Sequence, residues 1–148
     1  MSSTIKIFNN SNKKYIARKK IQDILKKILE DANITNASIN LIFTDNDSIH
    51  DLNYRYLNHD YATDVLSFCL EEDPLEGEIY VCVSVALENA TEYQTTCKNE
   101  LARYSIHGLL HLLGYDDKTD EEKKIMHEKE DFYLNYMKEL ENNDRKNS

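Results

Sequence analysis

The chain has 148 residues, 41% of them hydrophobic and 30% charged, the size and composition of one globular domain with a real core. Eighteen basic against 27 acidic side chains give a net charge of −9, which at face value argues against phosphate binding through Lys and Arg. Three Gly and one Pro exclude collagen-like, linker-rich and multi-turn β architectures, and no apolar run approaches the roughly 18 residues of a membrane span.

The N-terminal MSSTIKIFNN has no charged segment leading into an apolar one, so no secretion signal is expected. Ile5 and Ile7 flank Lys6 in the alternation of a short first strand. A helix is predicted from about Lys13 to Ala32, with Ala17, Ile21, Ile24, Leu25 and Ile28 as its apolar stripe and Asn33 as its stop. Ile39, Leu41 and Phe43 alternate in a second strand. Thr44 and Asp45 are N-cap candidates for a helix through Ile49, Leu52 and Tyr56.

Val65 to Phe68 reads as a third strand, Glu71 to Gly77 as a loop around the single Pro, and Glu78 to Cys82 as a fourth strand. Helices are predicted from Ser84 to about Thr95 and from Asn99 to Leu113, the second stopped by Gly114. Thr119 and Glu122 form a capping box for a last helix that turns Met126, Phe132, Tyr133, Tyr136, Met137 and Leu140 inward. Residues 141–148 are expected to be a disordered polar tail. The sum is an α/β (α+β layered) fold: one domain over residues 1–140, with a small mixed sheet of about four strands covered by about five helices.

His107 and His111 are four apart on one helix, so they share a face one turn apart and can reach one metal ion. Past the helix-ending Gly114 lies Asp117, with Asp116 beside it. A helix giving two ligands and its following turn a third leaves one position open, the arrangement of catalytic rather than structural zinc. Core packing also produces such histidine pairs. Two details favour the metal: the acidic turn follows directly, and Gly108 sits mid-helix at a cost of about 1 kcal/mol against Ala, as if something approaches closely there. The segment lacks the Glu of H-E-x-x-H, so a metalloprotease with that general base is not expected.

The run HGLLHLLGYDD resembles the signature of the YbeY-type endoribonucleases, bacterial proteins that process small-subunit ribosomal RNA. LNYRYLNHDYATDVLSF (Leu52 to Phe68), GEIYVCV (Gly77 to Val83) and Glu100 extend the resemblance to about residues 4 to 140. The family pattern is His-x3-His-x5-His; His107 and His111 match it, and Asp117 stands at the third position. Two histidines and a carboxylate is a workable catalytic zinc set, and it equally suits Fe(II) or another divalent ion. Asp117 is the expected third ligand, with Asp116 and His127 as alternatives. One zinc ion per chain is expected.

The resemblance implies a metal-dependent endoribonuclease cleaving single-stranded RNA, acting in 3′-end maturation of small-subunit rRNA and in ribosome quality control. Its partners would be that RNA and the ribosome or small-subunit proteins. Arg55 and His107 are then the catalytic candidates, Arg55 contacting a phosphate or the transition-state charge. From the residues alone, a surface salt bridge with Asp51 at i−4 is the favoured reading of Arg55. Thr63 and Asp64 head the third strand and could line the cleft behind the ligands, or Asp64 could serve only its turn. Tyr54, Tyr56, Tyr61, Tyr80 and Tyr115 could stack on bases, though most should belong to core or rim. His50, His59 and His127 are read as surface residues, and Cys69 and Cys82 as buried thiols. Three cysteines, odd in number and without CxxC, fit reduced thiols in a cytoplasm.

The net charge hides a split. Residues 1–29 carry eight basic side chains against Asp23 alone, net +7; the remainder carries ten against 26, net −16. Lys19, Lys20, Lys26 and Lys27 fall off the apolar stripe of the first helix. They form either a solvated face or, with the family resemblance, an RNA-facing one. The rival functions are a ribosome-assembly factor with a degenerate metal site and a metallohydrolase of another class, such as a peptidase.

Overall fold

The computed structural model describes residues 3–12, 16–57 and 64–147. Among them the order is β1 (Thr4–Asn9), α1 (Arg18–Asp31), β2 (Ser38–Thr44), α2 (Asn46–Leu57), β3 (Val65–Glu72), β4 (Leu75–Cys82), α3 (Val83–Glu92), α4 (Cys97–Leu112) and α5 (Asp120–Asn147). The four strands form one mixed sheet in the order β1-β2-β4-β3. β1 and β4 each run parallel to β2, while β3 runs antiparallel to β4 and forms an edge. The single α/β domain expected from the pattern of elements is what the chain builds.

Strand periodicity decides which helix covers which face. Ile39, Leu41, Phe43, Ile79 and Val81 point into the main core, where they meet Ile21, Ile24, Leu25 and Ile28 of α1 and Ile106, Leu109 and Leu110 of α4. The alternate residues Leu66 and Cys82 instead pack with Ile49 of α2 in a second, smaller cluster. α5 closes the outside of the main layer through Met126, Tyr133, Leu134 and Met137.

The local stop and start signals act as their chemistry requires. Asn33 adopts φ 60°, and the Ile34 and Asn33 amides donate to Leu29 and Glu30 carbonyls at 2.9 and 3.0 Å, closing α1 in a Schellman turn. The Asp45 carboxylate accepts the Ser48 amide at the start of α2. At α5 the Thr119 amide donates to Glu122 Oε1 and the Glu122 amide to Thr119 Oγ1, the reciprocal pair of a capping box.

Five expectations are corrected. α1 begins at Arg18, later than Lys13, because Ala17 with φ −75° and ψ 67° is not helical. β3 and β4 continue past Phe68 and start before Glu78, meeting at a tight turn at Asp73–Pro74; Glu71, Glu72 and Glu76 pair in the ladder while facing solvent, so their polarity masks the strand. Phe132 and Leu140 are exposed, at 59% and 42%, because the inward stripe of α5 runs through Met126, Glu130, Tyr133, Leu134 and Met137. Cys69 is exposed on edge strand β3. Residues 141–147, read as a disordered tail, continue α5, and Glu141 binds Lys20 and Lys98 at 3.0 and 2.8 Å.

Candidate metal centre

The site is built on α4 where it lies across β3 and β4. Gly108 faces the sheet so closely that a Cβ there would overlap the Ile79 side chain and press on Val65 and Ser67. Its carbonyl accepts a hydrogen bond from Ser67 Oγ at 2.8 Å. The mid-helix glycine therefore marks a close approach of helix to sheet, as its cost suggested. It seats His107 and His111, its neighbours in sequence and helix turn, over the edge of β3.

The turn that stops α4 passes through Gly114, whose φ of 102° strongly favours glycine. The Tyr115 and Gly114 amides donate to Leu110 and His111 carbonyls, both at 3.0 Å, in a second Schellman turn. The chain thereby doubles back and returns Asp117 to the histidine face. His107 Nε2 and His111 Nε2 are 3.0 Å apart, and Asp117 Oδ2 lies 3.3 Å from the first and 3.5 Å from the second.

These three distances test whether a metal fits. Zinc bonds of about 2.0–2.1 Å in a tetrahedron put neighbouring ligand atoms roughly 3.3 Å apart. The triangle of two imidazole nitrogens and one carboxylate oxygen has that size, and no other group of three such ligands gathers among the described residues. Asp116 is engaged elsewhere, its Oδ1 accepting the Asp117 amide at 2.9 Å. His127 is a surface residue, 3.4 Å from Asp131. The expected trio is the one the fold brings together.

A residue absent from the sequence reading completes the setting. Glu130 of α5 is 6% exposed, and its Oε2 lies 2.6 Å from His107 Nδ1. Arg103 spans Glu130 Oε1 at 2.9 Å and Asp131 Oδ1 at 2.7 Å. Burial works against a charged His107, but the Glu130 hydrogen bond and the charges of Glu130, Asp117 and Asp64 outweigh it and raise its pKa above the usual histidine value. One signal for Glu130 existed in the sequence: a carboxylate standing on the apolar stripe of an otherwise amphipathic helix.

The centre opens into a cleft of about 860 Å³ bordered by Asp64, by the β3 residues Leu66, Ser67 and Cys69 and by Leu112. Asp64 borders the cleft and also serves its turn, its Oδ1 accepting the Val65 amide at 2.8 Å; Thr63 falls outside the described residues, as do His59 and Tyr61. Among the described lining residues there is no Lys or Arg, so the fixed charges of the cleft are acidic. Arg55 is not in this lining. It sits in the last turn of α2, 68% exposed, with Nε 3.1 Å from Asp51.

The lysines of α1 are separate again. Lys19 pairs with Asp23, Lys20 with Glu141, and Lys27 with Asp31 while lying over the Tyr136 ring. Lys26 is exposed. Of the tyrosines considered for stacking, Tyr54 is exposed, while Tyr115 is partly buried with Lys129 over its ring.

Comparison with known proteins agrees with this architecture. The family model described as Endoribonuclease YbeY matches residues 6–138. An Endoribonuclease YbeY of Salinibacter ruber is 41% identical over 122 residues, covering 76% of this chain and 78% of that protein. One from Chlorobium limicola is 34% identical over 139 residues, 93% and 96% of the two chains. A solution structure of a Thermotoga maritima protein superposes with a TM-score of 0.66 at 35% identity, covering 95% of this chain and 93% of that one. With the fold and most of its length matched, the chain belongs to the Endoribonuclease YbeY family.

Proposed function

We propose that this protein is a metal-dependent endoribonuclease that cuts single-stranded RNA, acting in 3′-end maturation of small-subunit ribosomal RNA and in ribosome quality control. The observation that carries the reading is the ligand triangle of His107, His111 and Asp117, sized for one divalent ion and open to a cleft. Zinc is the assigned ion, one per chain. When bound it supplies Lewis acidity toward a phosphodiester.

The electrostatics of the cleft favour this assignment. A lining with acidic fixed charges repels RNA phosphate until a divalent cation inverts the local field. His107 and His111 orient their Nε2 atoms toward that position, and Asp117 contributes the one negative ligand. Asp64 stands behind them at the head of β3. Arg55 is assigned to the charge that develops on the phosphate, through the planar guanidinium that suits such contacts. The exposed part of the α1 face, Lys19 and Lys26 above all, is assigned to more distant stretches of RNA, with Lys20 and Lys27 at its margin. Cys69, Cys82 and Cys97 stand outside any disulfide, which suits a reducing cytoplasm. Among the described residues no helix is long and apolar enough to cross a membrane.

The test pairs metal analysis of the purified protein with cleavage of single-stranded RNA before and after chelation. About one zinc per chain, loss of cleavage on chelation and no cleavage by His111→Ala are expected. Asp117→Ala should lose metal while Asp116→Ala keeps it, and Arg55→Ala should fold, bind metal and cut poorly. A protein without metal or chelator-sensitive cleavage would instead be an assembly factor. Cleavage of casein rather than RNA would move the site to another hydrolase class.

A further inference from the structure

His107 is gripped from a different helix than its own. Glu130 Oε2 lies 2.6 Å from His107 Nδ1, and the other carboxylate oxygen accepts from Arg103 at 2.9 Å. Each oxygen thus has a partner, so the carboxylate cannot rotate without breaking a charge-assisted bond. An ionised carboxylate is only an acceptor, which puts the shared proton on Nδ1 and leaves the Nε2 lone pair facing His111 and Asp117. Arg103 is itself held on its far side by Asp131 at 2.7 Å.

Packing alone gives no reason for a carboxylate here. Position 130 lies on the buried stripe of α5 with Met126, Tyr133, Leu134 and Met137, where an aliphatic side chain avoids the cost of burying a charge. The fold carries that cost at one place along the stripe, the place that touches His107. We infer that Glu130 is a positioning residue of the metal centre: it fixes the ring orientation and tautomer of His107, with Arg103 as its brace, so that α5 completes a site whose ligands come from α4 and its turn. The inference rests on the metal reading of His107, His111 and Asp117.

The test uses the full chain with zinc as the probe. Glu130→Leu should weaken zinc binding about 10–100-fold, as loss of such outer partners does. Glu130→Gln, whose amide oxygen still accepts from Nδ1, should recover most of that loss. Thermal melting of the metal-free proteins separates this from a general loosening, since a role confined to joining α4 and α5 would move the melting temperature and leave the affinity of the folded protein unchanged. Ring-nitrogen NMR of the zinc-loaded wild type needs no variant, and it should show His107 protonated at Nδ1 and metal-bound at Nε2. A folded Glu130→Leu protein binding zinc within about twofold of wild type overturns the inference, as does a His107 bound through Nδ1. A wild type that takes up no zinc overturns the metal reading itself, and the inference with it.

Discussion

Two charged regions of this molecule are alike in composition and opposite in physics. Around His107, one buried carboxylate, Glu130, ties partly buried partners at fixed angles: Glu130 meets His107 and Arg103, and Arg103 meets Asp131 at the rim. Along α1, Lys19 and Asp23, or Lys27 and Asp31, meet in ordinary i,i+4 pairs at the surface. Coulomb attraction is weak where water screens it, and buried charge is costly where a partner is missing. The buried cluster therefore specifies geometry, and the exposed one specifies only a field. A metal centre needs the first, while sliding association with a polyanion is served by the second.

The sharpest way to break this contrast is to remove one charge from each region. Arg103→Ala should destabilise by about 3 kcal/mol in urea unfolding, because it leaves one oxygen of the buried Glu130 carboxylate without its charged partner. Lys19→Ala should stay within about 0.5 kcal/mol of wild type. Equal losses would erase the distinction.

The next effect is steric. Gly108→Ala should cost about 1–3 kcal/mol, since its new methyl meets Ile79, Val65 and Ser67 in a packed interface. It should also weaken zinc binding, because relief requires α4 to lift from the sheet. Calorimetric zinc titration beside thermal melting reads both. A stable Gly108→Ala protein with native affinity would show that the helix seat does not position the centre.

On the exposed side, Lys19→Glu with Lys26→Glu should leave the fold intact but weaken RNA binding. The slope of log K against log salt should flatten by about 0.7 for each phosphate of a single strand that the protein no longer neutralises. Unchanged binding would reduce the α1 face to a solvated one.

The smallest effect is at Glu141. Its hydrogen bond from Lys98, aided by Lys20 and opposed by partial burial, holds its pKa below the usual carboxylate value. A depressed folded-state pKa contributes stability above the unfolded value and loses it as pH falls through the folded one. Glu141→Gln should therefore cost less than about 1 kcal/mol at neutral pH. The gap from wild type should close as the pH falls below the ordinary carboxylate range. A gap independent of pH would mean that Glu141 anchors α5 by packing alone.

What could be read from sequence divides along the same line as the two regions. Local chemistry was legible: the Asn33 and Gly114 stops, the Thr119–Glu122 box, the His107–His111 spacing and the meaning of Gly108 all depend on residues within a few positions. Asp117 was legible because a short turn follows its helix. Glu130 left only an indirect mark, a carboxylate on the apolar stripe of α5; its role was hidden because its partner is 23 positions away and only packing of α5 on α4 joins them. The acidic stretch around Asp73–Pro74 hid a strand pairing made by backbone rather than side chains. Arg55 was assigned to RNA chemistry, yet the visible contact is the local one with Asp51.

The placement of Glu130 also has a consequence for local opening of the molecule. The sheet, α4 and the trio of His107, His111 and Asp117 lie within residues 4–117, whereas the carboxylate that meets His107 Nδ1 belongs to α5. A partial lifting of α5 therefore releases the His107 ring while α4 and its turn stay folded. Hydrogen exchange along α5 would then report on the order of the site as much as on the helix itself.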